Sequence, residues 1–249
     1  MLSAVVICRN EEGNIQDCLK SLSFCDEIIV IDDYSKDQTQ KIIKDLKNSK
    51  IELMEHALNN DFSKIRNFGL GKAKNEWVLY VDADERVSPA LAFEISNAII
   101  FSSDFNGFCI KRRDIMWGKE LKYGESAVTN LLRLGKKDFG QWEGKVHERW
   151  KIKGKVGRLN NALLHYPHKT LREFLQEINF YSTLRAIELH DRGDKVSFSS
   201  IVLFPCGKFL LNYFLRRGLL DGVPGLIFAI TMSLHSFLVR GKLWILINK

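Results

Sequence analysis

The five cysteines (Cys8, Cys18, Cys25, Cys109 and Cys206) are odd in number, and no two stand at Cys-x-x-Cys spacing. That argues against both a disulfide framework and a structural zinc site, and fits a reducing cytoplasm. Met1-Leu2-Ser3 leads straight into apolar residues without a basic flank or a cleavage site, so no secretory leader is expected. No Gly-x-Gly-x-x-Gly and no Gly-x-x-x-x-Gly-Lys-Ser/Thr follows the first apolar segment. A dinucleotide-binding dehydrogenase or a P-loop enzyme would need one of these to bring phosphate onto backbone amides. Helix-turn-helix, zinc-finger and aromatic RNA-binding signatures are missing too, which disfavours nucleic acid as a partner.

What is present describes a globular chain. Over 249 residues, 45% are hydrophobic and 27% charged, enough for one large domain, or one domain with an appended segment. The formal charge of +7 is unevenly spread: residues 1–150 hold 22 Lys/Arg against 24 Asp/Glu, and residues 151–249 hold 15 against 6. A basic, apolar C-terminal part on a nearly neutral remainder points to an anionic surface such as membrane lipid.

Strand and helix patterns alternate through the first hundred residues. Apolar runs at 3–8, 27–31, 51–54 and 77–82 read as strands. Between them Ile15, Leu19 and Leu22, then Ile42, Ile43 and Leu46, then residues 62–73 keep helical spacing, with Ser35 or Asp37 as a cap for the second helix. Ser88-Pro89 opens a further helix. Such alternation predicts a parallel sheet with right-handed crossovers, whose ligands gather at the carboxyl ends of the strands. Three of those ends are charged: Arg9-Asn10-Glu11, Asp32-Asp33, and Asp82-Ala83-Asp84-Glu85. An acidic turn explains one such end; three at one rim point to a site. Asp82 and Asp84 share one side of the chain if it stays extended. Paired carboxylates there suit Mg²⁺ or Mn²⁺ held partly by a phosphorylated substrate, with Arg66 as a cation for the phosphates.

From about residue 105 the pattern changes. Residues 107–112 and 130–134 read as mixed or antiparallel strands around the glycine-punctuated loop 117–124. Gln141–Arg149 is dense in titratable groups, with Gly140 and Gly144 as hinges, and is expected to close over the crevice. Residues 171–190 form an amphipathic helix. Ile201–Leu215 and Leu219–Val239 are more apolar, broken at Pro205-Cys206-Gly207 and at Gly222-Val223-Pro224-Gly225. The uncharged run Gly222–Val239 is 18 residues long, the lower edge for a membrane span. Helices lying in the interface, with Arg216, Arg217, Arg240 and Lys242 at headgroup level, are the expectation.

Val5–Glu11, Ile29–Asp37, Phe62–Leu70 and Trp77–Glu85 together resemble family 2 inverting glycosyltransferases. Val146-His147-Glu148 and Arg216–Gly222 resemble a bacterial subgroup within it, the lipopolysaccharide core β-1,4-glucosyltransferases. The resemblance implies a GT-A (nucleotide-diphospho-sugar transferase) α/β fold with a mostly parallel sheet over residues 1–168. The donor-nucleotide half would be 1–100 and the acceptor half 101–168, followed by a helical, membrane-associating region at 169–249. It implies that Arg9, Asn10, Glu11 and Asp32 hold the nucleobase and ribose with Asp33 nearby, and that Arg66 faces the diphosphate or base. Asp82 would meet the ribose or the metal, and Asp84 would be the direct ligand of Mg²⁺ or Mn²⁺. By the same resemblance His165 would be a later metal ligand, with His168 its close competitor. Glu148 is the expected base on the acceptor hydroxyl and Glu143 the alternate. The implied donor is a nucleotide diphosphate sugar, UDP-glucose foremost. The implied acceptor is a lipopolysaccharide core or another lipid-linked glycan at the cytoplasmic face of the membrane. Transfer to a protein or a polyprenyl phosphate, or nucleotidyl transfer, are the alternatives.

Overall fold

The structure is a computed structural model and describes residues 1–59, 61–102, 104–125, 129–144, 148–167 and 170–248. The chain divides into two compact units, Met1–Arg112 with Thr129–His165, and Arg113–Val128 with Tyr166–Lys249. The stretch expected as an acceptor half is therefore shared: Arg113–Val128 clusters with the C-terminal helices.

The first unit opens with β1 (Leu2–Cys8), α1 (Ile15–Ser21), β2 (Glu27–Asp32), α2 (Thr39–Asp45), β3 (Ile51–Glu55), α3 (Phe62–Lys72) and β4 (Trp77–Asp82). After a turn come β5 (Glu85–Val87), α4 (Pro89–Phe101) and β6 (Phe105–Met116), whose last residues belong to the second unit. The second unit's short β7 (Lys119–Glu120) pairs with that end of β6. Back in the first unit lie β8 (Asn130–Lys136), β9 (Gly140–Glu143), β10 (Arg149–Ile152) and β11 (Lys155–His165).

The sheet order is β3-β2-β1-β4-β8-β6-β11-β5. The pairs among β3, β2, β1 and β4 are parallel, as strand–helix alternation requires. Strands β8 and β6 and the β11–β5 pair add antiparallel partners, so the sheet of this α/β fold is mixed, parallel across β3-β2-β1-β4 and antiparallel at β4–β8, β8–β6 and β11–β5. Period-two alternation buries both faces of the parallel strands. Ala4, Val6, Val30 and Leu79 pack on one side with Ile15, Leu19, Leu91 and Ile95 of α1 and α4. Val5, Ile29, Ile31 and Val78 pack on the other with Ile65 of α3, Trp142 and Trp150. Helix α3 sits close to the strands at Gly69, where a Cβ would stand 2.6 Å from Val5 Cγ1. Ser88 caps α4, and Pro89 stands in its first turn, as expected. Helix α2 starts after Gln38, whose own side chain makes no cap, and the expected Asp37 accepts the first-turn Thr39 N–H on Oδ1 at 3.0 Å.

In the second unit, α5 (Leu171–Asp191) begins at a capping box made by Thr170 and Glu173. Helix α6 (Phe198–Leu210) runs into a π-helical turn at Leu211–Leu215, and α7 (Val223–Ile247) closes the unit. The expected break at Pro205 does not occur; α6 continues through it. Helix α7 outlasts the expected Val239 because Arg240, Gly241 and Lys242 all stay helical. Lys242 ties it to α5, its Nζ reaching Asn179 O, Ser182 Oγ and Thr183 Oγ1 at 2.6–2.8 Å. The Arg216–Gly222 motif has a structural role: buried Asp221 accepts the backbone N–H groups of Lys122 and Tyr123, and a Cβ on Gly225 would stand 2.1 Å from Gly218 O. Phe198–Leu215 and Val223–Ile247 are long and apolar enough to cross a membrane by length and composition alone.

Candidate active site

The parallel register places the charged strand ends side by side. Cys8 pairs with Asp32 across β1 and β2, and Ile7 pairs with Asp82 across β1 and β4. All three ends therefore share one rim, the edge of a parallel sheet at which ligands gather.

At the β1–β2 end the polar groups are laced together. Asp32 is buried, and its oxygens accept from Ser35 Oγ, from Ser35 N at 2.8 Å and from Gln40 Nε2 at 2.7 Å. Asp33 accepts Arg9 Nη1 at 2.8 Å and Leu58 N at 2.9 Å. Asn10, at φ +56°, donates its N–H to Ser35 Oγ and accepts Lys36 N on its side-chain oxygen. Glu11 N donates to Thr39 Oγ1. These bonds fix the two loops as one wall and leave the Arg9 side chain 61% exposed.

At the end of β4 the chain does not stay extended. Ala83 and Asp84 form a turn, closed by the Glu85 carboxylate accepting Asp82 N at 2.8 Å. Asp82 and Asp84 consequently serve different partners. Asp82 lies between two guanidiniums, Arg66 Nη2 at 3.0 Å and Arg133, which contacts both of its oxygens. Burial opposes ionisation of Asp82, but Arg133 and then Arg66 outweigh it and hold the carboxyl well below the usual carboxylate range. Arg133 is shifted the other way, its charged form favoured by Asp82 and Glu85 against its own burial. Asp84 faces His165 at the end of β11, Oδ2 to Nε2 at 3.1 Å, because Glu85 pairs with His165 across β5 and β11.

Arg66, only 6% exposed, links these groups to the later chain. Its Nε donates to Glu148 Oε1 at 2.8 Å, and its guanidinium lies 4.7 Å from the Trp142 ring centroid. Tyr80 stands edge-on to Trp142 and Trp150 at 4.9 and 5.0 Å and donates its hydroxyl to Arg66 O. Asn67 exchanges two 2.9 Å hydrogen bonds with the backbone of Trp142, locking β9 to α3. The Gln141–Arg149 stretch thus does reach the crevice, through Trp142 and Glu148. Glu143 instead pairs with Lys151 at 2.6 Å and its side chain is 53% exposed. Val146, His147 and His168 lie outside the described residues.

The cluster also holds Arg133, which strand spacing alone does not bring to it, and Glu85, whose burial the sequence does not show. Arg133 interrupts the apolar run Leu131-Leu132-Arg133-Leu134 and is 5% exposed; a lone arginine inside a buried strand was the available signal. Glu85 is fully buried, and burial first, with Asp82 and Asp84 adding, pushes its carboxyl up to about 7 against the pull of Arg133.

The donor set at Asp84 and His165, one carboxylate oxygen and one imidazole nitrogen, fits a divalent ion of the Mn²⁺ kind. No group of three or more His, Cys, Asp and Glu residues converges among the described residues. A metal here would therefore complete its shell from substrate and water. Asp82, with both oxygens taken by arginines, does not fit as a second direct ligand.

A strand-end rim with an acidic turn and two buried arginines suits an enzyme that handles a phosphorylated donor. The sequence settles which: residues 3–151 match the model of Glycosyl transferase family 2, and the chain belongs to that family. It is a glycosyltransferase, and its α/β sheet is of the GT-A kind. It is 30% identical over 249 residues to the lipopolysaccharide core biosynthesis glycosyltransferase LpsC of Rhizobium meliloti, covering 98% of this chain and 92% of the relative. An uncharacterized glycosyltransferase of Rickettsia typhi is 27% identical over 97% of the chain and 86% of its own length. Among solved structures, S. aureus TarS 1-349 in complex with UDP-GlcNAc aligns with a TM-score of 0.49 at 17% identity, over 95% of this chain and 81% of that one.

Proposed function

We propose that the protein moves a hexose, glucose foremost, from a nucleotide diphosphate sugar to a lipopolysaccharide core or other lipid-linked acceptor. Transfer takes place at the cytoplasmic face of the membrane, with inversion at the anomeric carbon. The observation that carries this reading is Arg66, which holds Glu148 at 2.8 Å and Asp82 at 3.0 Å one turn from the Asp84–His165 pair. Donor anchoring and acceptor activation thereby meet at one strand end. Likeness to LpsC supports the acceptor class.

In this reading Arg9, Asn10, Glu11 and Asp33 border the nucleoside. Asp32, its oxygens already met by Ser35 and Gln40, shapes that wall from behind. Asp84 and His165 would hold Mg²⁺ or Mn²⁺, which when bound neutralises charge on the leaving diphosphate. Asp82 fixes Arg66 and Arg133, so that the cations are set before substrate arrives and need no reorganisation. Glu148 is the base: one oxygen is held by Arg66, and the other would take the acceptor hydroxyl's proton as the new glycosidic bond forms and the sugar–diphosphate bond breaks. The basic C-terminal region rests on the anionic membrane surface. The test is incubation with UDP-glucose and purified core lipid, reading the anomeric configuration of the product by NMR. An inverted product supports the reading; a retained one contradicts it.

A further inference from the structure

The helical unit contains a cleft of about 680 Å³ walled by α5, α6 and α7. Its volume falls in the range of small-molecule sites, about 300–1,000 Å³. Leu203, Phe204 and Val239 give it apolar walls, while Arg185, Lys208 and Arg240 place cations around it, and none of its lining residues carries a carboxylate. Two of the cations have acidic partners nearby: Lys208 meets Glu125 at 2.6 Å and Arg185 meets Glu188 at 2.7 Å. Arg240 has no carboxylate partner among the described residues. It donates to Ser236 O and Oγ, and its guanidinium stands 3.9 Å from the centroid of the Phe204 ring. The positive field of the cleft also acts on His235, whose imidazole is pushed down from its ordinary value by burial first and then by Lys208.

A partly desolvated guanidinium without a counter-ion is unfavourable, and an incoming anion offsets that cost. The apolar walls beside it select an anion that carries a hydrocarbon chain over a free inorganic one. These walls are themselves exposed, Leu203 at 66% and Phe204 at 57%, and Phe198 at the start of α6 is 81% exposed. That is the pattern of a helix lying in a lipid interface, with its cations at headgroup level.

We infer that this cleft binds a single anionic phospholipid, its phosphate on Arg240 and an acyl chain along Leu203 and Phe204; this rests on the membrane-surface reading above. The test is calorimetric titration of the intact protein with dihexanoyl phosphatidylglycerol below its micelle concentration. Saturable binding at one site is expected, weakened about tenfold or more by Arg240→Gln, as loss of a charge-assisted hydrogen bond implies. Arg240→Lys and Arg217→Gln, the latter outside the cleft, should keep most of the affinity, and circular dichroism melts should verify that each variant folds. Dihexanoyl phosphatidylcholine should bind about tenfold more weakly. Equal binding of the two lipids, unchanged affinity in Arg240→Gln, inorganic phosphate binding as tightly as the lipid, or no binding would each overturn the inference. The titration uses neither donor sugar nor vesicles, so its failure is separable from a failure of transfer.

Discussion

Arg66 Nε lies 2.8 Å from Glu148 Oε1, joining residues 82 positions apart in the chain. This pair places one carboxylate of the later segment in the crevice, whereas Glu143 faces Lys151 on an exposed strand. Glu148→Gln should therefore lower kcat by roughly 10²–10⁴-fold, the usual range for a general base. Glu143→Gln should stay within about threefold of wild type on the same reasoning. Steady-state kinetics with a fixed acceptor check both, and the opposite ranking would move the base to Glu143.

Arg133 is predicted to matter for stability as well as activity. Its side chain is 6% exposed, and it grips Asp82, whose side chain is 30% exposed. Arg133→Met leaves a partly exposed carboxylate with Arg66 as its remaining cation, so the loss should be about 1–3 kcal/mol, below that of breaking a fully buried pair. Urea unfolding at neutral pH should show that loss. Arg133→Lys keeps the charge but not the two-nitrogen grip, and should fall between the two.

Glu94 joins α4 to β11 by accepting four N–H groups, the backbone and side-chain amides of Asn160 and Asn161, at 2.7–3.1 Å. Burial alone would raise its pKa; the four donors outweigh burial and hold it below its ordinary value. A carboxyl depressed in the folded state stabilises the protein above its unfolded pKa, and that stability is lost as pH falls through the folded value. Glu94→Gln should cost about 1–3 kcal/mol at pH 7. The gap from wild type should narrow below about pH 4, as read by denaturant midpoints at each pH.

Two glycines of α3 should respond with opposite sign. A methyl at Gly69 meets Val5 Cγ1 at 2.6 Å and Ile31 Cδ1 at 2.8 Å, while nothing lies within 4 Å of one at Gly71. Gly69→Ala should destabilise by about 1–3 kcal/mol through overpacking, less the gain in helix propensity. Gly71→Ala should stabilise by about 0.5–1 kcal/mol. Thermal melts of the two variants give the comparison.

Much of this architecture is legible in the chain itself. Period-two apolar strands ending in charge, with helices between them, are enough to place Arg9–Glu11, Asp32-Asp33 and Asp82 on one rim, because parallel strands share an end. What sequence spacing cannot give is side-chain direction after a turn. Asp82 and Asp84 part company because Glu85 folds back onto Asp82 N–H, a local bond that an extended-strand reading overlooks. Arg133 was hidden for a different reason: its partner is on a strand 51 residues away, and long-range pairing leaves no local periodicity. Pro205 likewise misleads, since α6 passes through a residue that usually ends a helix.

The most direct measurement is the melting temperature of the protein with UDP-glucose and other nucleotide sugars, with and without Mn²⁺. A ligand of the native state stabilises it by about 2.7 kcal/mol at a hundred times its Kd, a shift of several degrees. The account predicts such a shift with a nucleotide sugar and Mn²⁺ together, greatly reduced without the metal and in Asp84→Asn. No shift with any nucleotide sugar in the presence of metal, or a shift equal in wild type and Asp84→Asn, would contradict it.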